Sequence, residues 1–71
     1  MIDIAELLIE EIEAVKPEII RYKRSVVYYK IALTDGSFYL VTFILKKRLF
    51  RYRIKYIFVE QIDSDEYLDL G

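Results

Sequence analysis

From residue 26 to residue 45 the chain is apolar at almost every position, and the run is broken decisively once, by "TDGS" with Asp35-Gly36 at its centre. An Asp-Gly pair has the backbone freedom of a two-residue type I′ turn, so the segment predicts an antiparallel hairpin. In that register Leu33 faces Phe38, Ile31 faces Leu40, Tyr29 faces Thr42 and Val27 faces Ile44, while Val26, Tyr28, Ala32, Tyr39, Val41, Phe43 and Leu45 share the other side. Both faces of the hairpin are therefore apolar. A single covering layer leaves one of them bare, and a two-fold dimer is the commonest way to bury it.

Upstream the period changes. Asp3 stands at an N-cap position with Glu6 three residues on, and Ala5, Leu8, Ile9, Ile12 and Val15 recur at three- and four-residue steps. Pro17 disfavours helical geometry at Lys16, so a helix over 4–15 is predicted. The following "EIIRYKR" reads as the beginning of a first strand over about 18–34, with a break near Ser25.

Downstream, "LFRYRIKYIF" alternates, with Phe50, Tyr52, Ile54, Tyr56 and Phe58 on one side and Arg51, Arg53 and Lys55 on the other. Strands over 37–46 and 49–62 are expected, joined by a turn at Lys46, Lys47 and Arg48. A two-residue loop there puts the greasy row with Tyr39, Val41, Phe43 and Leu45; a three-residue loop puts it on the opposite side. The cationic row is exposed at a sheet edge either way. An acidic tail, "DSDEYLDLG" over 63–71, has room for a short turn. The predicted architecture is α+β: one helix, then a three-stranded antiparallel meander, in a single small domain over 1–71 that works as a dimer.

Composition narrows the chemistry. With neither Cys nor His, disulfides, thiolate metal sites and the usual zinc ligands are excluded, as are the imidazole base and the best nucleophile. The only glycines are Gly36 and Gly71, so no phosphate-binding glycine loop is present. Asp63, Asp65, Glu66 and Asp69 begin like a calcium loop, but Tyr67 takes the third ligand position and the required Gly is missing. Neither an enzyme nor a cofactor is expected. An acidic amino terminus in place of a signal sequence, and no long apolar run, predict a cytoplasmic protein that does not enter a membrane. The lack of Asn and Cys beside abundant Ile, Glu, Lys and Tyr resembles the usage of hyperthermophiles.

The net charge of −1 conceals a block arrangement, since all eleven Lys and Arg lie between residues 16 and 55 while both ends are acidic. Two accounts fit: the ends fold back on the basic middle, or an anionic partner does so. Lys46, Lys47, Arg48, Arg51, Arg53 and Lys55 are the residues that would meet such a partner, either RNA or an acidic protein. Strict alternation weighs against a stacking site for single strands, because it separates Arg51, Arg53 and Lys55 from Tyr52 and Tyr56.

The order of a helix, a strand, "LTDGSFYLV" and a strand with the "FRYRIKY" mixture resembles the small toxin-type proteins of the TumE group over residues 4 to 60. It is more distantly similar to the basic strands of RelE-type ribonuclease toxins. The resemblance draws attention to Arg51, Tyr52, Arg53 and Tyr56. TumE-like proteins continue into a His-containing carboxy-terminal segment; this chain has no His, so the resemblance implies a relative lacking that segment and whatever activity it carries. The leading functional expectation is a non-catalytic homodimeric interaction module, and the alternative is an RNA-binding or toxin-antitoxin-related protein.

Overall fold

Asp3 begins the first helix as its N-cap, with extended backbone and a carboxylate that accepts the Ala5 N–H at 3.0 Å. A computed structural model describes residues 3 to 70 of the chain; Gly71, the last residue of the expected acidic tail, lies outside the described residues. The elements are α1 (Ile4–Arg21), β1 (Val26–Ala32), β2 (Phe38–Arg48), β3 (Arg51–Ile62) and α2 (Ser64–Asp69). The strands lie in the order β1-β2-β3 with both pairings antiparallel. The α+β meander predicted from sequence is present, with an added carboxy-terminal helix.

α1 does not stop before Pro17. It runs to Arg21 with the proline inside it, so residues 18 to 21 are helix and not the beginning of a strand. The cause is tertiary. Ile12, Val15 and Ile19 form one buried stripe with Leu8 packed beside it, and Ile19 is only 1% exposed. Burying such a side chain is worth about 1.5–3 kcal/mol, comparable with the roughly 3 kcal/mol that an interior proline costs. The last turn adds the Tyr22 N–H to Ile19 C=O and Lys23 N–H to Ile20 C=O bonds, which favour continuation. Pro17 and Glu13 both lie on the exposed side, so a Glu13 carbonyl deprived of the donor that Pro17 lacks is open to solvation. Ile9, expected on the buried stripe, is exposed. Lys23, in left-handed backbone with φ 54°, ends the helix and turns the chain toward β1.

The first hairpin also differs from the expected one. Leu33 N–H donates to Ser37 C=O at 2.9 Å and Gly36 N–H to Leu33 C=O at 3.1 Å, so the loop has three residues, Thr34-Asp35-Gly36, with Gly36 at φ 89°. The Ser37 hydroxyl and amide both donate to the Asp35 carboxylate and hold its pKa below the usual carboxylate value. One extra loop residue slips the register by one: Val27 faces Phe43, Tyr29 faces Val41 and Ile31 faces Tyr39. The slip decides the core. It gathers the odd-numbered residues of both strands under α1, where Val41 and Phe43 are 0% exposed.

The second turn is Leu49-Phe50 and not the Lys46, Lys47, Arg48 segment, which continues β2. Ile44 pairs with Tyr56 but Leu45 pairs with Ile54, so Lys55 is the extra residue of a β-bulge. The bulge inverts the phase of β3. Tyr52 and Ile54 lie half-buried on the α1 side, whereas Tyr56 and Phe58 emerge on the opposite face. The row that alternation joined is split in two.

Asp63 caps α2 through the Glu66 N–H at 2.8 Å. The helix folds back over the face that α1 leaves uncovered: the Tyr67 ring lies 4.8 Å from that of Phe38, and Lys30 Nζ donates to the Tyr67 carbonyl at 2.9 Å while standing 4.3 Å from the ring centroid. α2 closes over Ile62 and Phe38 at one end of that face only.

Candidate interaction surface: the open sheet face and the basic arm

The face opposite α1 is an ordered grid set by the strand registers. Val26, Ile44 and Tyr56 form one cross-strand row, Tyr28, Thr42 and Phe58 the next, then Lys30, Leu40 and Glu60, then Ala32, Phe38 and Ile62 under α2. In the first two rows Tyr28 is 67% and Phe58 58% exposed, with Tyr56 and Val26 also exposed. The Tyr56 and Phe58 rings are 6.2 Å apart. Among the described residues none forms a layer over this contiguous apolar surface.

Toward the other end the sheet narrows. β1 begins at Val26, opposite Ile44, and the Leu45 N–H reaches back to Ser25 C=O at 2.8 Å. Beyond that point residues 46 to 53 form a two-stranded arm, projecting roughly 10 Å by strand rise. On its open side Lys46 lies directly opposite Arg53 and Arg48 opposite Arg51; Lys47 and Tyr52 occupy the α1 side. Lys55 sits at the bulge, 5.3 Å from the Tyr56 ring centroid. All six cations singled out from sequence therefore belong to the arm or its root, and the sheet places four of them in two opposed like-charge pairs.

The tip of the arm is unusual. Leu49 takes φ 55°, a conformation that favours Gly or Asn, and Phe50 is 95% exposed. A shallow cleft lined by Ile20, Arg21 and Lys23 at the end of α1 and by residues 50 to 53 of the arm, Arg51 and Arg53 included, joins this tip to the helix. Arg21, Lys23 and Arg24 thus stand at the same end as the arm. The two remaining cations are occupied elsewhere: Lys16 pairs with Glu13 at 2.6 Å, and Lys30 binds the Tyr67 carbonyl. Among the described residues Lys16 with Glu13 is the single ion pair.

The acids gather at the far end. Glu10 and Glu11 of α1 border the β1–β2 turn, and α2 carries Asp65, Glu66 and Asp69 over the Phe38 end of the sheet. The sequence blocks have become two poles of one molecule.

Sequence reasoning located the arm cations but missed Tyr28, Tyr56 and Phe58 as their neighbours on one face. The bulge brings them together, since it puts Tyr56 and Phe58 on the same side as Arg51 and Arg53. One signal for it exists in the sequence: strict alternation ends after Lys55, where four apolar residues, Tyr56, Ile57, Phe58 and Val59, run together.

No protein-family model matches the chain, and neither a curated protein nor a solved structure is significantly similar to it. No helix among the described residues is long and apolar enough to cross a membrane.

Proposed function

We propose that this chain is a non-catalytic interaction module that works as a homodimer joined through its open sheet face, in a cytoplasmic setting. The observation that carries this reading is the exposed cluster of Val26, Tyr28, Tyr56 and Phe58 around the half-buried Ile44, on a face that α2 covers at one end only. Burial of each large side chain of this kind is worth about 1.5–3 kcal/mol, enough for a few of them to drive association. A catalytic role has little to stand on, since the chain offers no imidazole and no thiol. In sedimentation equilibrium we expect twice the 8.6 kDa chain mass, and we expect Tyr28→Lys with Phe58→Glu to return the single chain with an unchanged far-ultraviolet spectrum. An 8.6 kDa species alone at every concentration would overturn the reading.

A second reading, binding of single-stranded RNA, is favoured by the bulge at Lys55. Cations and exposed rings on one surface are what a stacking groove needs. The resemblance to TumE-like and RelE-type proteins points the same way. On this reading affinity falls steeply with salt, and Arg51→Ala with Arg53→Ala lowers the slope of log affinity against log salt by about two units. Absence of RNA binding at about 50 mM salt removes it.

A further inference from the structure

We infer that the second copy docks antiparallel, sheet face to sheet face, so that the cationic arm of each chain lies against the acidic α2 of the other. The inference rests on the homodimer reading and adds its geometry. Within the described residues the arm is electrostatically incomplete: Lys46 opposes Arg53 and Arg48 opposes Arg51, an arrangement that repels, and no carboxylate among them pairs with any of the four. Lys46, Arg48, Arg53 and Lys55 surround a shallow depression of about 290 Å³ on this side. It is open to an anion from outside.

α2 offers the matching charge in the matching direction. Tyr67 faces its own sheet, held by Phe38 and Lys30. At about 100° per residue, Asp65 and Asp69 lie roughly opposite Tyr67 on the helix, directed away from that sheet, with exposed Leu68 beside them. Among the described residues neither carboxylate has an ion-pair partner.

Spacing along β2 relates the two features by symmetry. Lys46 and Arg48 are the third and fifth residues beyond Phe43 in one direction, and Leu40 and Phe38 the third and fifth in the other, about 10 and 17 Å by strand rise. A two-fold axis running across the strands at the level of Phe43 therefore superposes the arm of one copy on the α2 end of its partner. β1 has ended before the arm begins, which leaves room beside the narrowed arm for α2, which rises above its own sheet. The same operation lays Tyr56 of each copy over Phe58 of the other, and Tyr28 over Val26, at the centre. A parallel arrangement instead sets arm on arm and α2 on α2. The faces are roughly 30 Å by 14 Å by strand rise and spacing, so two of them cover about 840 Å² in flat projection, at the low end for a specific interface.

Charge reversal separates this geometry from dimerisation as such. Dimer dissociation constants would be measured by sedimentation for wild type, for Lys46→Glu with Arg53→Glu, for Asp65→Lys with Asp69→Lys, and for the chain carrying all four changes. Each reversed pair should weaken the dimer by about tenfold or more, and the fourfold variant should recover to within about threefold of wild type. All four positions are exposed, and circular dichroism verifies folding. As a direct check in a chain without Cys, Lys46→Cys mixed with Asp69→Cys should cross-link between copies on oxidation, since the two positions lie at opposite ends of one chain. A wild-type dimer that ignores the reversals and fails to cross-link overturns the antiparallel arrangement and leaves the open-face dimer standing. A wild type that stays a single chain overturns both, and if it then binds RNA through Lys46 and Arg53, the arm serves the nucleic-acid reading.

Discussion

Phe43→Ala is expected to lower the free energy of unfolding by about 3–5 kcal/mol, the usual cost of emptying a fully buried aromatic site. Phe43 is 0% exposed on the central strand, between Val27 on β1 and Ile57 on β3, in the cluster that Ile12, Val15 and Ile19 cover from α1. One side chain thus touches most of the layers the fold contains, and the small core gives its neighbours little means of closing the gap. At about 0.05–0.15 kcal/mol per residue, a chain of 71 residues has roughly 4–10 kcal/mol in all, so the variant loses a large part of its stability. Urea denaturation followed by far-ultraviolet circular dichroism measures this. A loss below about 1 kcal/mol would mean that the odd-numbered residues of β2 are not the core.

Pro17→Ala is expected to act in the opposite direction, stabilising the protein by about 1–3 kcal/mol. Pro17 sits inside α1, on its exposed side, and cannot donate to the Glu13 carbonyl four residues earlier. Alanine restores that donor and removes the clash of the ring with the preceding turn, terms worth about 3 kcal/mol in a helix interior. The gain is reduced by about 0.4–1 kcal/mol because alanine leaves the unfolded chain freer. A rise in the urea midpoint at unchanged slope is the expected result. If the helix stopped at Val15, as local rules predict, the substitution would be neutral or destabilising, so the experiment tests helix continuation directly.

Those two sites mark where local inference held and where it failed. The start of α1 was legible because Asp3 caps the helix through a contact two residues away. Two successive antiparallel hairpins were legible because a short loop between apolar runs permits little else. The end of α1 was not, since Pro17 speaks for the local chain whereas Ile19 answers to Phe43 and its neighbours across the sheet. α2 was only half legible: Asp63 caps it locally, but its stability comes from Tyr67 packing on Phe38 and binding Lys30, residues far away in sequence. For the candidate surface, the six arm cations could be named in advance. Their sharing a face with Tyr56 and Phe58 could not.

Taken alone, the sequence determined the amino-terminal helix, the two antiparallel hairpins, the apolarity of both hairpin faces and the segregation of charge along the chain. These depend on residues within a few positions of one another, where backbone preference and periodicity act directly. Only the tertiary structure decided the register at Asp35-Gly36, the bulge at Lys55, the passage of α1 through Pro17 and the side on which each row faces. Each is a choice between local arrangements of similar energy, and a one-residue shift in a strand exchanges its two faces. The burial of Val41 and Phe43 against Ile19 of α1 favours one combination of them, and with it the cations and aromatic rings that stand together on the open face.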